Sequence, residues 1–380
     1  MRCLIQIEAL NAAIQDVLKA ISSKPLIPIL SGIKIEARND GILLTASDSE
    51  ITIQRFIPVE QEPGKRVATI EEKGAIILPA KVLAELIRKM PGKELEIHSN
   101  EQFQAWIRAG KSEVQLLGFD PEDYPPIPQV DDRMSVTLPS EVLKSIIRQT
   151  IFASSVVESA GILTGTLWQW DEQQFTCVAT DRHRLAKRTL HLDTLNSKQQ
   201  LVLPSKTLSE LTKLLPDQNQ LISFICAEHQ ILFQWDNAWF YSRVLDGVYP
   251  DTSKIIPTQF KTEMVLPTAV LRDSIDRASL MSREEKSNVV QLTTLENQVI
   301  EISSSTTEIG KVTEKIELNR FNGESLKISF NSKFIMDVLR VIDSELVYIG
   351  FTGPMSPIIV KPEDETQLIH LILPYRTTGK

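Results

Sequence analysis

The segment Ala179-Thr180-Asp181-Arg182-His183-Arg184-Leu185 gathers an acid, a histidine and two arginines within seven positions. A histidine beside a carboxylate can serve as a general base or hold a metal ion. Here Asp181 and His183 stand two apart. A corresponding stretch, Ala46-Ser47-Asp48-Ser49-Glu50-Ile51, keeps the aspartate and lacks the histidine. A reaction centre needs a nucleophile, a second acid or further ligands, and no recognisable motif supplies them. The chain has no GxxxxGK[ST], GxGxxG or HExxH string. His98, His191, His229 and His370 each stand alone and read as surface or strand residues. Cys3, Cys177 and Cys226 are odd in number and widely spaced, which fits neither a disulfide framework nor a zinc knuckle, so buried or idle thiols are expected. No catalytic residue, metal site or cofactor is expected, and the chain reads as a non-enzyme.

Binding is then the work the elements must position. With 380 residues, 42% hydrophobic and 24% charged, the chain is long enough for two or three packed cores. No apolar run approaches the roughly 20 residues of a membrane span. The start MRCLIQIEALNAAIQ lacks the basic, apolar and cleavage regions of a signal peptide, so a cytoplasmic protein without a membrane partner is expected. A net charge of −8 argues against a protein that coats nucleic acid, because such affinity comes from displacing counterions with lysine and arginine. Any DNA role must use a local field.

Internal repeats decide the fold class. ILPAKVLAELIRKMP (77–91) matches VLPSKTLSELTKLLP (202–216) at an offset of 125, and Tyr124-Pro125 meets Tyr249-Pro250 in the same register. Upstream, Ile29-Leu30-Ser31-Gly32 pairs with Ile162-Leu163-Thr164-Gly165, and Ala46-Ser47-Asp48 with Ala179-Thr180-Asp181, both at 133. A fainter third copy shows where Leu266-Pro267-Thr268-Ala269-Val270-Leu271 echoes Leu138-Pro139-Ser140-Glu141-Val142-Leu143. Three copies fill the chain, with boundaries expected at the proline-rich stretches: 1–129, 130–257 and 258–380.

Apolar residues at three-and-four spacing predict helices near 8–20, 79–90, 139–150, 204–215, 267–280 and 331–342. Alternating runs such as 32–36, 51–53 and 230–234 predict strands. Leu-Pro or Phe-Asn before five of the helices is expected to place a proline in the first turn or a polar cap. Formal charge in the helices sums to about +5, leaving about −13 elsewhere. If repeated domains closed into a ring with helices inside, Lys81, Arg88, Lys89, Lys144, Arg148, Lys206, Lys213, Lys333 and Arg340 would form a diffuse basic lining. Such a lining suits phosphates and reads no bases. An acidic exterior would repel DNA.

The strings KPLIPILSGIKIEA, LTASDSEITI, IRQTIFA, ILTG, ATDRHRLA, SRVLDGVYPDTSKIIP, IDRASLMSREEKSNVV and LILPYRT resemble the bacterial DNA polymerase III β subunit, the sliding clamp, in its Bacillus-type form, over about residues 1–377. The resemblance implies an α+β fold of three clamp domains, closed head to tail as a homodimeric ring with helices lining the hole and antiparallel sheets outside. It implies sequence-independent binding of double-stranded DNA, and capture of DNA polymerases and a clamp loader through short linear peptides. The peptide cleft maps to Leu163, Thr180, His183, Arg184, Leu185, Pro250, Lys254, Ile255, Met355, Leu371, Leu373, Pro374, Tyr375 and Arg376, where apolar side chains would take anchors and a few polar groups would orient the peptide. DNA-facing positions map to Lys24, Arg88, Lys89, Gln149 and Lys206. The dimer seam maps to Leu280 and Met281 against Val114, with Arg108 and Lys111 beside it.

The chain departs from the family pattern in places. Glu158-Ser159-Ala160-Gly161 stands where relatives show Glu-Thr-Arg-Pro, so an arginine that shapes the cleft is missing. Met355-Ser356-Pro357 replaces Met-Arg-Pro, Arg182 is bulky where a small residue is usual, and Thr378-Gly379-Lys380 run past the usual end. These departures fit a second, divergent clamp with altered partner choice. The competing expectation is a clamp-like protein adaptor that does not encircle DNA.

Overall fold

The computed structural model describes the chain except residues 128–134, 172, 193–197, 218, 228, 285–287, 307–309 and 376–380. Helices form where the three-and-four spacing predicts them: α1 (Ile7–Val17), α2 (Ala80–Lys89), α3 (Ser140–Thr150), α4 (Ser205–Thr212), α5 (Thr268–Glu284) and α6 (Ser332–Leu339). On α2 the spacing buries Ala80, Leu83, Ala84 and Ile87 and leaves Lys81, Glu85, Arg88 and Lys89 in solvent. One expectation needs correction at the helix starts. Pro79 is the N-cap of α2 and the last residue of strand Gly74–Pro79, so proline closes the strand instead of opening the first turn. Asn331 caps α6 as expected, its side chain accepting from the Lys333 amide at 3.0 Å.

The sheets are antiparallel and are assembled from halves of successive copies. An eight-stranded sheet runs Ser135–Pro139, Leu221–Cys226, Gln230–Trp235, Ala238–Arg243, Ile51–Pro58, Gly41–Ser47, Gly32–Ala37, Gly74–Pro79. Its first four strands come from the second copy and its last four from the first. They join where Tyr241 lies opposite Thr52 and Phe240 opposite Ile53. A nine-stranded sheet runs Gln199–Pro204, Gly165–Trp170, Gln174–Thr180, Arg184–His191, Leu368–Ile372, Ile358–Pro362, Leu346–Phe351, Thr262–Pro267, Arg320–Gly323. Its seam joins copies two and three, with Leu371 opposite Leu185. Two smaller sheets hold the remaining halves, beside a two-stranded hairpin of Glu60–Glu62 and Lys65–Arg66. The five-stranded one ends on Ser112–Leu117, and the four-stranded one ends on Gly310–Glu317.

Shared sheets explain why the chain packs as two compact units, 1–142 with 210–244, and 143–209 with 245–380. Cross-strand hydrogen bonds and side-chain pairs hold each seam, so packing follows the sheets while the sequence repeat follows the copies. In the second unit the main core includes Met264, Leu266, Ile300, Phe330, Val347, Phe351 and Ile372. Full burial of such side chains contributes about 1.5–3 kcal/mol each. No helix among the described residues is long and apolar enough to cross a membrane.

Candidate functional site

The Asp-Arg-His segment at 181–183 is a hairpin turn. Arg182 sits at φ +75°, and the Asp181 Oδ1 accepts from the backbone amides of His183 at 2.9 Å and Arg184 at 3.0 Å. The Thr180 hydroxyl donates to the Arg184 carbonyl at 2.6 Å and accepts from the Arg182 amide at 3.2 Å. The first copy repeats this geometry. Ser49 lies at φ +78°, and Asp48 accepts from Glu50 and Ile51 amides at 2.9 and 2.8 Å. The aspartate recurs because it satisfies turn amides, a local use of a short acceptor side chain. The His183 ring is instead stacked on Phe334, centroids 6.5 Å apart.

The strand leaving this turn splits its residues between two faces, as period two requires. Leu185 joins Leu163, Leu167, Val178, Val202, Tyr249, Ile359 and Leu371 in one apolar cluster, with Ala160 and Ile162 packed at its margin. Arg184 is buried on the other face. Its Nε meets Asp181 Oδ2 at 3.0 Å, its guanidinium meets Asp337 Oδ2 at 2.6 Å, and it lies 4.5 Å from the Phe334 ring centroid. Its role is to hold the turn and α6 together, so the structure removes it from the apolar face of the cleft. The Tyr249 hydroxyl accepts from the Thr180 amide at 3.0 Å, and burial pushes that phenol up to about 12.

Around this floor stand partly exposed groups. Leu373 donates its amide to the His183 carbonyl at 2.9 Å and is 39% exposed, which brings the chain's last strand against the turn. Pro250, Lys254, Ile255, Met355 and Tyr375 are exposed, and Pro374 is half-buried. Asp251 accepts from both the amide and hydroxyl of Ser253, which holds its carboxyl below the usual range and fixes the short turn bearing Lys254 and Ile255. Leu163, Thr180, Leu185 and Leu371 are buried beneath them. Thus an apolar floor with an apolar, partly open rim is assembled within one compact unit. Arg376 lies outside the described residues. Val248, 90% exposed, stands two residues before Pro250 and lies outside the mapped set; the repeated Tyr-Pro pair beside it is the sequence signal at this turn.

The other mapped sets separate. Lys24, Arg88, Lys89 and Lys206 are exposed. Gln149 is not: its side chain is 6% exposed, and its carbonyl accepts from the buried His370 ring at 3.2 Å. It therefore cannot present a side chain to a duplex. α3 turns its Gln149 side inward because the helix packs on the strand carrying His370. Val114 lies on the edge strand Ser112–Leu117, half-buried, with Arg108 on the adjacent strand paired to Glu113 and Glu96 and with Lys111 in the exposed turn. Leu280 is 52% exposed on α5, one turn beyond Arg277, whose Nε holds Glu314 of the other edge strand at 2.9 Å; Met281 beside it is half-buried.

Burial pushes the Cys3 and Cys226 thiols up to about 12 and also raises Cys177 well above the ordinary thiol range. Such thiols carry little thiolate at neutral pH. Among the described residues no group of three or more His, Cys, Asp and Glu side chains comes together to hold a metal.

Repeated α+β copies joined through shared sheets, an apolar groove, and an Asp-His pair committed to a turn define a binding scaffold, not a reaction centre. Models of the DNA polymerase III beta subunit match its N-terminal domain at 1–128, its central domain at 137–251 and its C-terminal domain at 253–376. The "Beta sliding clamp" of Bacillus subtilis (strain 168) is 44% identical over 379 residues, 99% of this chain and 100% of that protein. The crystal structure of the DNA polymerase sliding clamp from Bacillus subtilis superposes with a TM-score of 0.97 at 43% identity, covering 99% of each chain. The DNA polymerase III beta chain of Streptococcus pneumoniae TIGR4 superposes at 0.95 and 35% identity, covering 99% of this chain and 100% of that one. The chain belongs to the DNA polymerase III β-subunit family, the bacterial sliding clamps, whose members are non-catalytic processivity subunits.

Proposed function

We propose that two copies of this chain close head to tail around double-stranded DNA and tether DNA polymerases to it. The observation that carries the ring is the fate of the sheet halves. At both internal seams, a strand corresponding to Ile51–Pro58 pairs with a strand corresponding to Ala238–Arg243. Two end strands of these same kinds, Gly310–Glu317 in copy three and Ser112–Leu117 in copy one, would make the third such pair. Unpaired edges invite pairing with another chain. A third seam between chains repeats the contact already made twice, and a heterologous contact that closes after two copies yields a ring. Val114, Leu280 and Met281 then lie at the seam, with Arg108 and Lys111 at its margin.

The hole is lined by the helix faces that carry Arg88, Lys89 and Lys206, with Lys24 beside them. These cations bind phosphates at any sequence. The three clamp domains of this reading span 1–129, 130–257 and 258–380. The cleft of Leu163, Thr180, His183, Leu185, Pro250, Lys254, Ile255, Met355, Leu371, Leu373, Pro374, Tyr375 and Arg376 takes short linear peptides of polymerases and of a clamp loader. Arg184 supports it from the opposite face. The protein acts in the cytoplasm, where such partners work.

The test is retention on nicked circular DNA after loading, before and after one cut linearises the circle. Retention on circles with escape from cut ends is expected. Equal binding to both forms would mean ordinary surface affinity. No retention on either, with loading verified by a standard clamp, would leave a protein adaptor that does not encircle DNA.

A further inference from the structure

We propose that the chain carries a second peptide-binding groove in the unit formed by 1–142 and 210–244, and that it takes an extended partner segment bearing a large apolar anchor next to a carboxylate. The groove follows the plan of the cleft proposed above, but its residues and its test are separate.

The groove encloses about 540 Å³, within the roughly 300–1,000 Å³ typical of ligand sites. Its lining is the repeat counterpart of the cleft. Leu30 stands for Leu163, Ser47 for Thr180 and Thr52 for Leu185 at the offset of 133, and Pro125 stands for Pro250 at 125. Tyr241 faces Thr52 across the first seam as Leu371 faces Leu185 across the second. Leu30 packs with Ile77 and the buried Tyr124, as Leu163 packs with Tyr249. The same Asx-type turn, at Asp48 and at Asp181, delivers both rims.

The backbone plan is shared but the chemistry differs. At the rim, Glu50 takes the place of His183 and Arg243 that of Leu373, and these two form an exposed ion pair at 3.3 Å. Beside it, Leu26 and Ile27 are 93% and 43% exposed, an apolar shelf open to a ligand. Arg243 meets Glu50 through one nitrogen only. A planar guanidinium prefers two parallel bonds to a carboxylate, so an acid beside the anchor can draw Arg243 from Glu50. Thr52 and Tyr241 in place of two leucines make the floor more polar, which separates the two ligand classes.

The test uses fluorescein-labelled six-residue peptides in which a Leu-Phe pair is followed by Asp, Gln or Lys. They are titrated into the full chain with the cleft blocked by M355E and L373E. Saturable binding in the order Asp, Gln, Lys is expected. I27E or T52R, each with an unchanged thermal midpoint, should weaken it about tenfold or more by charging or filling the anchor site. R243E should invert the order, shifting the Asp and Lys peptides about threefold in opposite senses, as an exposed pair allows. The proposal is overturned if no peptide saturates below about 1 mM, if I27E and T52R have no effect, or if R243E leaves the order unchanged. Binding that is abolished by blocking the cleft alone would overturn this groove and leave the cleft reading standing.

Discussion

Replacing Leu280 with alanine tests the inter-chain seam at a residue that ends in solvent in the single chain. Leu280 is 52% exposed on α5. Full burial of a leucine side chain is worth about 1.5–3 kcal/mol, so covering the exposed half at a seam contributes about 1 kcal/mol. A closed ring of two chains has two identical seams, which makes the loss about 2 kcal/mol per ring. That corresponds to a dissociation constant raised about thirtyfold. Alanine is the better helix former, so the change does not act by unwinding α5. Sedimentation velocity across a dilution series reads the constant directly. Leu221→Ala is the control: Leu221 is 63% exposed on the strand Leu221–Cys226, in neither edge element. Equal dissociation constants for Leu280→Ala and the unaltered chain, or an equal shift from Leu221→Ala, would refute the seam.

Three further outcomes are expected. Asp181→Ala and Asp48→Ala each remove a carboxylate that accepts two turn amides, and each should cost about 2 kcal/mol in urea unfolding; a stable Asp181 variant that lost only peptide binding would contradict the turn role. His370 is fully buried, and desolvation holds its pKa down at about 4, against 6.5 when unfolded. The unfolded chain therefore takes up a proton first, so stability from this group is complete above about pH 6.5 and falls as pH drops toward 4, by about 3 kcal/mol in all; His370→Leu should flatten that limb of the pH–stability curve. Arg88→Ala with Lys89→Ala should lower the salt dependence of binding to short linear duplexes by up to about two counterions, uniformly across sequences, and a change in base preference would argue against a phosphate role.

Much of the architecture was legible because its signals are local. Helix positions follow from apolar spacing, and the recurrence of Asp48 and Asp181 without a shared histidine pointed to structure instead of catalysis. Asn331 could be read as a cap from its own type and place. Burial was less legible. Gln149 sits on a helix face that looks polar in sequence, yet the strand carrying His370 covers it. Arg184 and Leu185 are neighbours in the same motif, and only the strand's two faces send one to Asp337 and the other to the apolar floor. Of the mapped cleft positions, Arg184 turns to the opposite face and Arg376 lies outside the described residues, while the others lie within one unit; the partial exposure of Met355, Leu373 and Tyr375 could not be read from residue type.

The amino-acid sequence alone determined the repeat, the helix positions, the segregation of charge and the family, since each rests on spacing and identity along the chain. The tertiary structure decided which strands meet. Tyr241 and Gln54 are 187 positions apart and share a hydrogen bond across a seam. Pairings of that range depend on which edges remain open after each copy has folded. That long-range choice set Ser112–Leu117 and Gly310–Glu317 at the ends of their sheets, each paired along one side, and it placed Glu50 against Arg243 at the rim of a groove.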